Sequence, residues 1–307
     1  MNSPILSVQQ VRKSYGTHSI LQDVSLAIPA GQTFALLGRN GAGKTTLIRI
    51  LLGLIPADSG IVRINGLDPV KSPIAVRTQV GFLAEDQTMY GWMTPLELLA
   101  FLAPFYPRWD RALAQSYLKR FEIPEKTRIE NLSKGLTVKL GLAAALAHRP
   151  AIVILDDPAL GLDPISRKEF NRDLVEHLQA TGSTVLYSSH LLDEVEAVAD
   201  GVAILDQGRI VRTGTTEELR TQVKCVVLPR DAVEKVPKPA ALLDVRFDGN
   251  QFAVVVDEAP LWIQQLARQR QHHEVIDLSL DEIFEAYVIG RPNRWPTTPA
   301  LQSLIAA

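Results

Sequence analysis

The chain has 307 residues, 46% of them hydrophobic, and a formal net charge of −2, which is enough for one large domain and a small one. This balance demands no nucleic-acid partner, and the single cysteine, Cys225, excludes an intramolecular disulfide and fits a reducing compartment. No secretory leader is visible at the N-terminus, and the longest apolar stretches, such as Gly141 to Ala147 and Ile152 to Leu155, are far short of the roughly 20 residues that a membrane-spanning helix needs.

Along the chain, Val24, Leu26 and Ile28 alternate with polar neighbours, and Gly60 to Asn65 reads as part of a hairpin, so an antiparallel flank is expected. The continuous apolar run Phe34 to Leu37 reads as a strand covered on both faces, and it leads directly into GRNGAGKT, Gly38 to Thr45, the pattern of a phosphate-binding loop. Gly38, Gly41 and Gly43 let the backbone turn its amides onto an anion, and the following helix adds the positive end of its dipole. Lys44 is then expected to reach the β- and γ-phosphates of a nucleotide, with the Thr45 hydroxyl on Mg²⁺. The nucleotide-binding segment is read as Gly38, Arg39, Asn40, Gly41, Ala42, Gly43, Lys44, Thr45 and Thr46, and the helix stops near Gly53.

From about Thr94 to Ile129 the pattern becomes helical, punctuated by Pro95, Pro104, Pro107 and Pro124, which predicts a helical insertion at about 88–135. A helix from Leu136 to His148 is stopped by Pro150, and one from Ile165 to Thr181 is closed by Gly182. Between and after them, Ile152 to Leu155, Thr184 to Ser188 and Val202 to Leu205 are further buried strands of a parallel sheet. The expected fold class is therefore α/β, a P-loop core with a parallel sheet, an antiparallel β flank and a helical subdomain, over residues 1–218. Beyond Leu219 a hairpin at Asp244 to Val256, a helix from Pro260 to about Arg270, a strand at Val275 to Leu278 and a Ser279/Glu282 capping box predict a small α+β domain, 219–290. Adjacent His272 and His273 would face apart on a strand and make no metal pair, and the proline-rich tail 291–307 is expected to lack fixed structure.

The phosphate loop is followed in order by LSKGL (Leu132 to Leu136), IVILDDP (Ile152 to Pro158), GLDP (Gly161 to Pro164) and SSH (Ser188 to His190). On these five motifs the chain resembles an ATP-binding cassette ATPase over about Ile5 to Leu219, and within that family it looks most like the drug, polysaccharide and sodium-export branch, which works with separate permeases. The resemblance implies ATP and Mg²⁺ as ligands. It implies that Tyr15 stacks on adenine, that Asp156 holds Mg²⁺ through water, and that His190 contacts the γ-phosphate. Ser133 and Gly135 match the signature loop, which completes the nucleotide site of a facing copy; a plain helix cap is the other reading of Ser133. Glu85 stands where many relatives place a glutamine near the γ-phosphate and the metal.

Asp157 occupies the position where the family usually has the glutamate that polarises the attacking water. One methylene less withdraws the carboxylate by more than about 1 Å, and a misplacement of that size costs about a hundredfold in rate. Slow hydrolysis is the expectation. The implied protein is the ATP-binding and hydrolysing subunit of an exporter, paired with a second ATPase subunit as a homodimer and peripheral to the cytoplasmic face of a membrane through an integral membrane permease. The surface around Met89 to Leu102, with Tyr90 and Trp92, is the candidate for docking that permease, and the insertion's own core is the other reading of its apolar residues. The alternatives are a nucleotide-gated regulator, or the degenerate half of a heterodimer with weak hydrolysis.

Overall fold

The computed structural model describes residues 3–189, 198–232 and 235–295. The chain divides into two compact units, Met1–Thr213 and Gly214–Ala307. In the first, β1 (Leu6–Tyr15) and β2 (His18–Ile28) form an antiparallel hairpin, and β4 (Ser59–Ile64) pairs antiparallel with the other side of β1, giving the order β2-β1-β4. This corrects the expectation for Gly60 to Asn65. Those residues form a strand, but its partner is β1, far away in sequence, because Gly60 lies so close to the β1 backbone that a Cβ would meet the Gln9 and Gln10 carbonyls at 2.6 Å.

The second sheet of this unit has the order β5-β6-β7-β3-β8-β9, from β3 (Thr33–Leu37), β5 (Val80–Leu83), β6 (Ile152–Asp156), β7 (Thr184–Ser189), β8 (Gly201–Asp206) and β9 (Arg209–Thr215). Pairing is parallel from β5 through β8. The four apolar runs read as doubly covered strands are β3, β6, β7 and β8, and every residue of β3, β6 and β7 is buried. Parallel strands that end together bring their following loops to one edge of the sheet, where ligands of such folds bind.

Three capped helices lie between β5 and β6. In α3 (Pro95–Leu102) Thr94 and Glu97 form a full capping box, Asp110 caps α4 (Arg111–Arg120), and Ser133 caps α5 (Lys134–Leu146) by accepting from Leu136 N–H at 3.3 Å. Gly141, midway along α5, is packed against the end of the Gln87 side chain, since a Cβ there would lie 1.8 Å from Gln87 Oε1, which would have to move aside. The remaining helices of the unit are α1 (Lys44–Leu51), the short α2 (Pro73–Arg77) and α6 (Pro164–Thr181).

Just past α5, His148 is 1% exposed and stacked on Tyr106 at 4.1 Å, and burial pushes its imidazole down to about 4. The folded protein therefore holds His148 neutral while the unfolded chain protonates it below about 6.5. Stability from this site is complete above pH 6.5 and falls as the pH drops toward 4, by about 3 kcal/mol in all. In urea titrations between pH 7 and pH 4, His148→Phe should lose less stability than the wild type by about that amount. Equal pH dependence in the two proteins would contradict the assignment.

The second unit is a four-stranded antiparallel sheet, β11-β12-β10-β13, from β10 (Lys224–Pro229), β11 (Leu242–Asp248), β12 (Gln251–Val256) and β13 (Glu274–Asp277). It is joined by α7 (Thr216–Gln222), α8 (Ala259–Arg268) and α9 (Leu280–Ile289). The Ser279/Glu282 capping box is present. Strand β10, which the sequence does not announce, lies inside the sheet between β12 and β13, with Val226 and Leu228 in the core. Cys225 is only half-buried, and its burial raises the thiol pKa. His272 and His273 lie just before β13 rather than on it. At 292–295, Pro292–Arg294 form a helical turn, and the Trp295 ring lies 6.0 Å from Phe252 and 6.4 Å from Trp262. Apolar packing, which a proline-rich composition hides, fixes those residues.

Candidate functional site

The loop Gly38 to Gly43 leaves the end of β3 and turns into α1 with two left-handed glycines, Gly41 at φ 82° and Gly43 at φ 110°. Gly43 also needs its missing side chain, because a Cβ would sit 2.8 Å from Leu21 Cδ2 and 3.1 Å from the Ile20 carbonyl. The loop is thus seated against β2, the strand that forms a hairpin with Tyr15's strand. Arg39, Asn40 and Gly41 are exposed, Ala42 and Lys44 are buried, and Thr45 and Thr46 are half-buried at the start of α1. Tyr15 closes β1 with half its surface exposed and Lys13 Nζ 5.5 Å from its ring centre.

Around Lys44 the structure gathers residues from three neighbouring strand ends. Lys44 Nζ donates to the Gly38 carbonyl at 2.8 Å and lies 3.5 Å from Asp157 Oδ2. Asp156 ends β6, and the Ser188 hydroxyl of β7 donates to its Oδ1 at 2.6 Å. Asp157 follows in a left-handed conformation, φ 41°, which aspartate tolerates better than most residues. Its N–H donates to both the carbonyl and the hydroxyl oxygen of Ser188, each at 3.1 Å. Ser188 therefore orients one carboxylate and pins the backbone of the next. Within SSH it gives no sign of this double role, but a fully buried serine at a strand end needs a polar partner, which marks it out.

Glu85, just after β5, feels the same cluster. Lost hydration comes first, followed by repulsion from Asp157, Asp156 and Asp86, and together they hold its carboxyl above the usual range, while Lys44 pulls it down. Ser133 and Gly135 stand at the start of α5, where Gly135 faces Ser166 of α6 and the Lys134 amine lies over Gly161. His190 lies outside the described residues. What the cluster offers chemically is a turn of backbone amides, a buried cation and a rank of carboxylates. That set fits a phosphate chain carried with a divalent cation, since the acids would repel phosphate alone.

On the insertion side, a cleft of about 410 Å³ is bordered by Leu52, Phe82, Gln87, Met89, Tyr90 and Gly141, among others. Beside it Tyr90, Phe101 and Phe105 form a chain of edge contacts at 5.6 Å, with Trp92 6.0 Å from Tyr90, and all four rings are exposed. Among the described residues no helix is long and apolar enough to cross a membrane.

Residues 21–160 match the family model described as ABC transporter. The chain is 32% identical over 281 residues to the linearmycin resistance ATP-binding protein LnrL of Bacillus subtilis (strain 168), covering 90% of this chain and 89% of that one. It is 35% identical over 227 residues to the daunorubicin resistance ATP-binding protein DrrA3 of Streptomyces coeruleorubidus, covering 72% of each. Among solved structures, one titled as the ATP binding subunit of an ABC transporter superposes with a TM-score of 0.65 at 30% identity, covering 71% of this chain and 92% of that one. ATP-binding subunits of this family dimerise and work with membrane permease components. The chain belongs to the ABC transporter family as an ATP-binding subunit, an ATPase built on the P-loop fold.

Proposed function

We propose that this ATPase powers an exporter, as a homodimer held to the cytoplasmic face of a membrane by a separate permease. The observation that carries the reading is the convergence of Lys44, Asp156 and Asp157 beside the glycine loop, on residues from three strand ends. The names of the two relatives, resistance proteins for linearmycin and daunorubicin, support an export role. Loop amides and Lys44 take the phosphates, Thr45 and Asp156 hold Mg²⁺ with Glu85 beside them, and Tyr15 carries the adenine. Mg²⁺, when bound, supplies the positive charge that lets phosphate oxygens sit among these acids. Asp157 is the group that would take the proton of the attacking water, and His190 is assigned the γ-phosphate by its motif. Ser133 and Gly135 serve a second copy of the chain. Titrating the purified protein with a fluorescent ATP analogue, then measuring hydrolysis with and without Mg²⁺, tests this. Failure to bind the analogue would refute it.

The exposed ridge of Tyr90, Trp92, Phe101 and Phe105 is the surface assigned to the permease. Four adjacent exposed aromatic rings make the kind of apolar patch that a partner covers. Changing Trp92 and Phe101 together to serine should weaken co-purification with the permease at least tenfold and leave affinity for Mg·ATP within twofold. Undiminished co-purification would move the docking site elsewhere. A second reading, a nucleotide switch or degenerate half-site with weak hydrolysis, is favoured by one observation, the Asp157 carboxylate turned toward Lys44.

A further inference from the structure

We infer that Asp157 has a second role, as the counter-ion that holds Lys44 until a metal-bound polyphosphate takes its place, so that simple anions and metal-free nucleotide are rejected. This rests on the reading that Gly38 to Thr46 takes the phosphates. The side chains of Lys44 and Asp157 are only 5% and 8% exposed. An ammonium so removed from water needs an anion and hydrogen-bond acceptors, and here it has the Gly38 carbonyl at 2.8 Å and Asp157 Oδ2 at 3.5 Å. The carboxylate is aimed by its backbone, since the left-handed φ of 41° and the double clamp from Ser188 fix where the side chain of Asp157 leaves the chain.

The consequence is a competition of anions. A phosphate shares Lys44 with Asp157 or takes its place, and a carboxylate that gives way is left beside Asp156, within reach of the field of Glu85. A divalent cation arriving with the phosphate offsets that crowding, whereas inorganic phosphate or nucleotide without metal brings more negative charge into it. Asp157 thus sets specificity for the metal complex at the binding step, in addition to any part it plays in hydrolysis.

The test uses ADP, which lacks the γ-phosphate, so that closure of two subunits on ATP does not enter the readout. Affinities for ADP with Mg²⁺ and for ADP in EDTA are measured by calorimetry for the wild type, Asp157→Asn and Asp157→Glu. Asparagine suits a left-handed backbone, so the first variant keeps the loop geometry. The expected result is that Asp157→Asn binds metal-free ADP about tenfold more tightly than the wild type and shows a smaller gain from Mg²⁺, while Asp157→Glu keeps the wild-type preference. Without nucleotide, Asp157→Asn should also melt several degrees lower, and in a Lys44→Gln background the same change should raise the melting temperature instead. Unchanged or weaker binding of metal-free ADP by Asp157→Asn would overturn the inference. If the wild type binds ADP under neither condition, it is the phosphate-loop reading that fails.

Discussion

Asp157→Glu should raise steady-state ATP hydrolysis by roughly tenfold to a hundredfold with little change in KM. A general base acts only within hydrogen-bond reach of the proton it takes, and displacement of about 1 Å is enough to cost about a hundredfold. Aspartate could make up the missing methylene if its backbone moved toward the nucleotide. The structure opposes that shift, because the Asp157 N–H is held by both oxygens of Ser188 on the adjoining strand. Its carboxylate is moreover directed at Lys44. A glutamate on the same clamped backbone reaches further into the site. Asp157→Asn should leave turnover at or below the wild-type rate. Initial-rate measurements at saturating Mg·ATP decide the matter, and a glutamate variant no faster than the wild type would mean that the geometry of this site already suits the shorter acid.

Lys44→Ala should weaken ATP binding by about a hundredfold or more. One charge-assisted hydrogen bond is worth about 1.5–3 kcal/mol, and the loss here goes beyond it. With the ammonium gone, phosphate meets the charges of Asp156 and Asp157 with no fixed cation between them. The buried carboxylate of Asp157 also loses Lys44, and breaking such a pair from one side costs about 3 kcal/mol of stability. Adding Asp157→Asn to Lys44→Ala should therefore recover much of the melting temperature and little of the affinity. Fluorescent-nucleotide titration and thermal melts of both variants give the two readouts, and a single variant that binds ATP within fivefold of the wild type would remove Lys44 from the site.

The sheet was legible because parallel strands covered on both faces must be continuously apolar, and β3, β6, β7 and β8 are. The phosphate loop was legible for a different reason: its glycines and lysine sit at fixed spacing on one continuous stretch. Partners distant in sequence were not. The sequence of Gly60 to Asn65 marks a strand but contains nothing to say that β1 is its neighbour. Likewise Ser188 looks like a supporting residue of SSH until β6 and β7 pair and lay its hydroxyl on Asp156. The ion pair of Lys44 with Asp157 is of the same kind, since 113 positions separate residues that only the strand order β6-β7-β3 brings together. Strand β10 and the packing of Trp295 escaped because short, mixed segments acquire their meaning from what they pack against.

The tight fit of Gly141 against Gln87 has a mechanical consequence. Gln87 stands two residues after Glu85, and α5 begins with Ser133 at one end and carries Gly141 near its middle. Movement of the segment carrying Glu85 therefore shifts the ends of the Gln87 and Leu83 side chains, which lie where a Cβ of Gly141 would be. A single methyl group added there, in Gly141→Ala, would be expected to push the Gln87 amide aside while leaving the nucleotide pocket itself intact.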